Sequence, residues 1–331
     1  MTPLADLPHD AARRFAALVS LAAAHDDRSP LRFLDVGGYP GTLARLLQAR
    51  FPHWSGITVD TVAEQRPHYQ CADGARLPFD DASFDLVFSS DVLEHIAPVH
   101  RAAFLTECRR VARRAVLLGA PFQHAATAAI ERALDDVHRR ATGRPHPWLG
   151  EHVVNGLPDL AATRAALGGE WSVALFASAP LIDWTLWQWL ALAREVRGEL
   201  DAAWSRLEAA RAQRLGSGAT PDWQPAEQAH TWPYRWIVVA QHPDHRVFEA
   251  LPQVPPPCAA DTGAEALAWS DLLRGCVEGL VDSGAQASAL AVALDEQARR
   301  ALQLAEQEVA TLRAARSTSG IARLFGRGGG R

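Results

Sequence analysis

Through its first half the chain alternates short apolar runs, each ending in an acid or a glycine turn, with stretches of helical spacing. Residues 31–36, Leu-Arg-Phe-Leu-Asp-Val, form the kind of run that a buried parallel strand needs. Gly37-Gly38-Tyr39-Pro40-Gly41 then turns the chain into residues 42–50, where Leu43, Leu46 and Leu47 share a helical face. Further strands are predicted over 54–60, 68–71, 84–88, 115–122, 171–177 and 233–240. A helix over 99–113 turns Phe104, Leu105, Cys108 and Val111 inward, and one over 8–25 covers the sheet with Phe15, Leu18, Val19 and Ala22. Asp10 is placed to cap that first helix. Alternating strands and helices imply an α/β fold with a parallel sheet and ligands at the carboxyl ends of its strands.

Beyond residue 122 the pattern changes. Residues 123–158 gather His124, Glu131, His138, His146, Trp148, Glu151, His152 and Asn155, and residues 181–215 form a Trp-rich helical stretch carrying Trp184, Trp187 and Trp204. The stripe reads as core or lid, with a sugar-facing role open for one or two tryptophans. Residues 214–228 read as a loop. Four prolines between 252 and 257 make a semi-rigid boundary. The expected organisation is a domain over 1–250, with core 31–122 and insertions 123–158 and 181–215, then a Pro-rich linker over 251–262. A helical hairpin or short coiled coil over 263–316 and a disordered Arg/Gly tail over 317–331 follow. Alanine at many seam positions buries little area, so an oligomer through these helices is possible but weakly driven.

Composition narrows the function. The 331 residues carry a net charge of −5 with no lysine, which gives no global attraction to nucleic acid. Four cysteines lie far apart without zinc or redox spacing, consistent with a reducing, cytoplasmic setting. Neither a signal peptide nor a membrane-length apolar span is read.

The glycine turn lacks glycines at the third and sixth positions from Gly37, which a dinucleotide fingerprint requires. What stands there, Asp35-x-Gly37-Gly38-x-Pro40-Gly41, resembles motif I of class I S-adenosylmethionine (SAM)-dependent methyltransferases, with Tyr39 where that family usually has glycine. Asp60 ends the second strand, Asp73-Gly74 precedes the fourth, and Ser89-Ser90-Asp91-Val92-Leu93-Glu94-His95 follows it. The order and spacing resemble the large branch that includes the ubiquinone-type enzymes. The resemblance implies a Rossmann-like seven-stranded, mostly parallel sheet with helices on both faces, to which the residue pattern adds a helical insertion and a helical C-terminal appendage. Its last strand should lie antiparallel beside the sixth.

By the same resemblance SAM is the cofactor. Asp35, Gly37, Gly38 and Gly41 would hold its methionine end, Asp60 the ribose and Asp73 with Gly74 the adenine, with Ser90 and Asp91 beside them. The segment after strand five would face the acceptor, and His95 or His152 would take a proton from a hydroxyl. His146 and His152, six apart with proline between, do not have zinc spacing, so no metal is expected. For any single histidine, packing or capping is an equally open reading.

Residues 117–158 also resemble methyltransferases associated with glycosyltransferases of bacterial surface glycans. That favours O-methylation of a sugar or surface-glycan precursor, with a glycosyltransferase as possible partner. Two alternatives stand beside it: a methyltransferase of a small metabolite or quinone-like compound, and a SAM-fold interaction module. Tyr39 is the feature that favours the module.

Overall fold

The computed structural model describes residues 7–23, 26–196, 200–216, 223–225, 232–245, 263–282 and 295–301, with positions 4, 229, 303 and 307 besides. The expected linker and tail lie outside the described residues, as does most of the stretch after 282.

Helix α1 (His9–Ala22) precedes β1 (Arg32–Val36), α2 (Thr42–Arg50), β2 (Ser55–Asp60), β3 (Tyr69–Cys71) and β4 (Phe84–Ser90). Then come α3 (Pro98–Val111), β5 (Ala112–Pro121), α4 (Ala125–Thr142), α5 (Leu149–Asn155), α6 (Leu160–Leu167) and β6 (Ser172–Pro180). Helices α7 (Leu181–Val196) and α8 (Asp201–Gly216), strands β7 (Trp223–Pro225) and β8 (Pro233–Gln241), and α9 (Ala264–Asp282) complete the order.

One sheet runs β3-β2-β1-β4-β5-β8-β6-β7. The first five strands pair in parallel, and β8 lies antiparallel between β5 and β6. The seven strands predicted are all present, and the fold is the Rossmann-like one that the motifs imply. An eighth, β7, adds three residues to the outer edge of β6, inside the stretch read as a loop. Pro225 closes it, since proline cannot extend a ladder and is tolerated at an edge.

Side chains alternate across this sheet, and both faces are dry. Phe33, Leu86, Phe88, Leu117, Ile237 and Val239 meet α1 and α2 on one face. Leu34, Val87, Val116, Leu118, Trp236 and Val238 meet α3 and α6 on the other. Strands covered on both faces explain the apolar runs Leu86–Phe88 of β4 and Ala115–Ala120 of β5.

A third cluster is built mainly from helices, with Ala179 and Tyr234 from the ends of two strands. Ile130 and Leu134 of α4 pack with Trp184, Trp189 and Ala193 of α7, with Tyr234, and with Leu273, Val277 and Leu280 of α9. Buried positions 266, 270, 273, 277 and 280 of α9 recur at spacings of three and four, a single helical stripe. The Trp189 indole N–H donates to Ser270 Oγ at 3.0 Å, and Arg140 of α4 pairs with Glu278 and Asp282. Two of the tryptophans, Trp184 and Trp189, are thus core residues. Past α9, Ala298 and Ala301 are buried, and Ala301 joins this cluster.

One expectation for α1 fails. The helix starts after Pro8 with no side-chain cap, and the Asp10 carboxylate instead accepts from Arg235 Nη2 at 3.3 Å. A buried guanidinium competes more strongly for a carboxylate than one exposed helix end does. Among the described residues no helix is long and apolar enough to cross a membrane.

Candidate active site

Two groups of polar residues meet at the carboxyl edge of the sheet. The first surrounds the glycine corner. Gly37 has φ +74°, and a Cβ there would lie 2.4 Å from Val92 Cγ2, so only glycine makes this turn without moving the segment after β4. Gly38 rests on the carboxylate of Asp35; a Cβ would stand 2.1 Å from its Oδ2. Gly74 is needed for a different reason, since a Cβ would press on the Phe104 ring at 2.7 Å.

Asp35 is buried beneath the corner. Burial pushes its carboxyl up to about 7, against hydrogen bonds from the Ala44 N–H and the Thr58 hydroxyl. Its Oδ1 has no partner. Asp60, at the end of the neighbouring strand, accepts from the Tyr39 N–H at 3.1 Å and the Val62 N–H at 3.2 Å. Ala72 N–H donates to the Asp60 carbonyl, which brings the turn of Asp73 to the same edge. There Asp73 Oδ1 accepts from the Ala75 N–H at 2.8 Å. The structure therefore gathers Asp35, Asp60 and Asp73 at adjoining strand ends, around Gly37, Gly38, Gly41 and Gly74.

Tyr39 turns outward. Its ring meets Tyr69 edge-on at 6.2 Å and lies under the Arg66 guanidinium at 5.5 Å, and it is 42 % exposed. Ser90 ends β4 with a buried, unpartnered hydroxyl oxygen. Asp91 is committed elsewhere: its carboxylate accepts from Arg235 Nε and Nη2 and from Arg14 Nη1. Burial alone would raise this carboxyl, but the two guanidiniums hold it down at about 2. Arg235 interrupts the apolar run of β8, and its side chain is only 1 % exposed. Together Asp10, Arg14, Asp91 and Arg235 tie α1 to β4 and β8 above the strand ends.

The second group lies past β4. Ring centroids of His95 and His152 are 4.8 Å apart, so the two histidines singled out from sequence come together although 57 positions separate them. His95 Nδ1 is 2.8 Å from Glu151 Oε2, and His152 Nδ1 is 3.0 Å from Glu131 Oε1. The Tyr234 hydroxyl also donates to Glu131 Oε1, at 2.9 Å, and Trp184 stacks on that tyrosine ring at 3.7 Å. Burial and the nearby His152 lower the His95 imidazole below its ordinary value. For His152, burial also opposes charge, but the bond to Glu131 and the charges of Glu131, Glu94 and Asp91 outweigh it and leave the ring above its ordinary value. Glu94 is buried between these groups; desolvation and the Asp91 charge push it up to about 8.

The other histidines of the insertion are engaged with other groups. His146 Nδ1 accepts from the Trp148 and Leu149 N–H groups at the start of α5, and burial beside His138 pushes the ring down to about 4. His138 bonds to the Arg144 carbonyl and to Glu195, and His124 stacks on Trp232 at 4.5 Å. The Asn155 side chain donates to the His95 carbonyl at 3.0 Å, while Arg101 reaches the carbonyls of Asn155 and Gly156, so α5 is fastened to the His95 turn. Trp148, 64 % exposed, lies edge-on to His95 at 5.8 Å.

Sequence reasoning assigned no role to Glu94, Tyr234, Arg14 or Arg235, and noted Glu131 only within the cluster. Two signals were present: Glu131 sits on the apolar face of α4 with Thr127, Ile130 and Leu134, and Arg235 lies inside an apolar strand. Charges in such places need buried partners.

A doubly covered sheet of this order with a glycine corner after its first strand defines the class I SAM-dependent methyltransferase architecture. Residues 34–118 match the family model described as a methyltransferase domain.

Structural similarity is more diffuse. Phosphoethanolamine N-methyltransferase 2 from Haemonchus contortus, in complex with SAM, is 16 % identical with a TM-score of 0.42, over 69 % of this chain and 52 % of that one. Magnesium protoporphyrin IX methyltransferase from Synechocystis, with S-adenosylhomocysteine (SAH) bound, is 13 % identical with a TM-score of 0.39, over 69 % of this chain and 81 % of that one. The YcgJ protein from Bacillus subtilis is 16 % identical with a TM-score of 0.39, over 69 % of this chain and 97 % of that one. No curated protein matches the chain.

Proposed function

We propose that this protein transfers the methyl group of SAM to a hydroxyl of a sugar or surface-glycan precursor. The observation that carries the reading is the meeting of the two groups at one sheet edge: acids around a glycine corner on one side, two carboxylate-bound histidines on the other. The residues present fit the cofactor, since Asp35 Oδ1 and Ser90 Oγ are buried without partners and Gly38, lacking a Cβ, lets the corner close onto the Asp35 carboxylate. When bound, SAM supplies a methyl already activated on a sulfonium.

The chain's own residues do the remainder. Asp35, Gly37, Gly38 and Gly41 hold the amino-acid end. Asp60 takes the ribose with the lone pairs that Tyr39 and Val62 leave free, and Asp73 with Gly74 takes the adenine. Ser90 lines the floor, and Asp91 shapes it through its pairing with Arg235.

On the acceptor side, Glu151 and Glu131 each take the Nδ1–H of a histidine, so each ring in its neutral form has its lone pair on Nε2. Either can remove the acceptor proton, and the ring fastened through Glu131 to Tyr234 is the better oriented. The sugar preference is supported by Trp148, an exposed aromatic face beside His95 on which a sugar ring can stack. The outward turn of Tyr39 supports a cofactor site over a pure interaction module. Free Cys71, Cys108 and Cys276 support a reducing, cytoplasmic setting. A glycosyltransferase partner rests on the glycan resemblance alone.

Incubation with methyl-labelled SAM and separate panels of nucleotide sugars, glycan precursors, quinones and free amines tests the reading. Label in an alkali-stable sugar ether is the expected result. Label confined to quinones or amines would overturn the acceptor assignment.

A further inference from the structure

Glu94, His95 and His152 each offer one ligand atom, and these atoms lie within 4.8 Å of one another. Their surroundings are arranged as around a metal. Each imidazole has its Nδ1 on a carboxylate, His95 on Glu151 and His152 on Glu131, which is the outer-shell pattern that orients ligating histidines and makes them better donors. His152 Nε2 and Glu94 Oε2 are buried with no partner, although both residues are at least nine-tenths buried. Leaving such atoms unmatched costs free energy unless something else meets them.

We propose that Glu94, His95 and His152 form a binding site for one divalent transition-metal ion of the zinc type. Two imidazoles and one carboxylate are a known zinc ligand set, and three protein ligands leave a fourth position open. Two imidazole donors favour zinc, nickel or copper over magnesium and calcium. Tetrahedral bonds of about 2.1 Å put donor atoms about 3.4 Å apart, so separations of at most 4.8 Å need close by no more than about 1.4 Å. Side-chain rotation of the half-buried His95 can supply much of that closure. Glu131 and Glu151 add negative charge around the cation, while Arg235 is spent on Asp91 and Asp10. Adjacent positions 94 and 95 with a third ligand at 152 match no short metal motif, so spacing alone does not reveal the set.

Binding of the ion stands apart from the methyl-transfer reading; its consequence rests on that reading. An Nε2 that coordinates a cation cannot also accept a proton. The metal-loaded protein therefore loses the histidine-dependent step, and zinc acts as an inhibitor of transfer.

The test uses the full chain, stripped with chelator, in calorimetric titration with zinc chloride and in visible spectroscopy with cobalt(II). One ion per chain and intense tetrahedral cobalt bands are expected. His95→Ala and Glu94→Gln should each weaken binding at least about tenfold, and Glu131→Gln about tenfold through its effect on His152. Absence of saturable binding would overturn the proposal, as would binding unchanged in both His95→Ala and Glu94→Gln, which would place the ion on other histidines. In the transfer assay, inhibition by zinc supports the exclusion, whereas stimulation would overturn it and leave the site standing. A SAM titration run alongside keeps the readings separate, because zinc binding without SAM binding would sink methyl transfer alone.

Discussion

The cofactor edge and the acceptor edge are built in opposite ways. Asp35, Asp60, Asp73 and Ser90 come from four segments within 56 residues, each at the end of its own strand or just past it. Strand geometry alone brings them together, because parallel strands in register end on one line. The acceptor edge draws Glu94 and His95 from the turn after β4, Glu131 from α4, Glu151 and His152 from α5, and Tyr234 from β8. It exists only once the insertion has folded back and α5 is held by Arg101 and Asn155. The cofactor edge is thus topology with short turns added, and the acceptor edge is tertiary packing.

That contrast can be broken by substitution. The largest expected effect is His152→Ala, which should lower the transfer rate by about 10²–10⁴ while leaving SAM affinity within a few-fold. The same substitution at His146 should change neither. Loss of SAM binding in His152→Ala would mean that the two edges are one site energetically. Arg235→Met attacks their joint, leaving Asp91 buried without its main counter-charge. A stability loss of about 3–5 kcal/mol is expected in denaturant unfolding. A neutral outcome would show that Arg14 alone satisfies Asp91.

Asp35→Asn tests the cofactor edge by pH. The folded carboxyl titrates at about 7 and an unfolded aspartate near 3.9, so between those values the native state holds the extra proton. Stability therefore falls as pH rises from about 4 to 7 and levels off above. Asn does not titrate, and the variant should gain on the wild type across that window, by at most about 4 kcal/mol, while losing SAM affinity. Parallel unfolding curves for the two proteins at pH 5 and pH 8 would contradict the burial of this group. Smallest is Trp148→Ala: without the stacking face, KM for a sugar acceptor should rise about fivefold, for roughly 1 kcal/mol, with kcat unchanged. A matching rise with a non-sugar acceptor would remove the sugar argument.

How far the sequence could be read follows the same division. Strand ends, the glycine corner and the face of α3 were legible because each is a local pattern: Phe104, Leu105, Cys108 and Val111 are buried as spaced. Asp10 was misread as a cap because helix-start rules are local, whereas its partner Arg235 is 225 residues away. The pairing of His95 with His152 was invisible as a pair, although each was singled out, since no spacing rule spans the β4 turn and α5. Glu131 and Arg235 announced themselves only as charges in apolar surroundings, which signals a buried partner without naming it. Strand β7 was hidden because three residues ending in proline carry no periodicity.

The central claim is that Asp35, Asp60 and Asp73 with the glycine corner enclose one adenosyl-amino-acid ligand. Isothermal titration of the full chain with SAH, for the wild type and for Asp60→Ala, tests it most directly. The account predicts one site per chain of micromolar or tighter affinity, weakened at least about tenfold by the substitution, as loss of a charged hydrogen-bond acceptor requires. No binding by the wild type, or equal affinity in the two proteins, would contradict it.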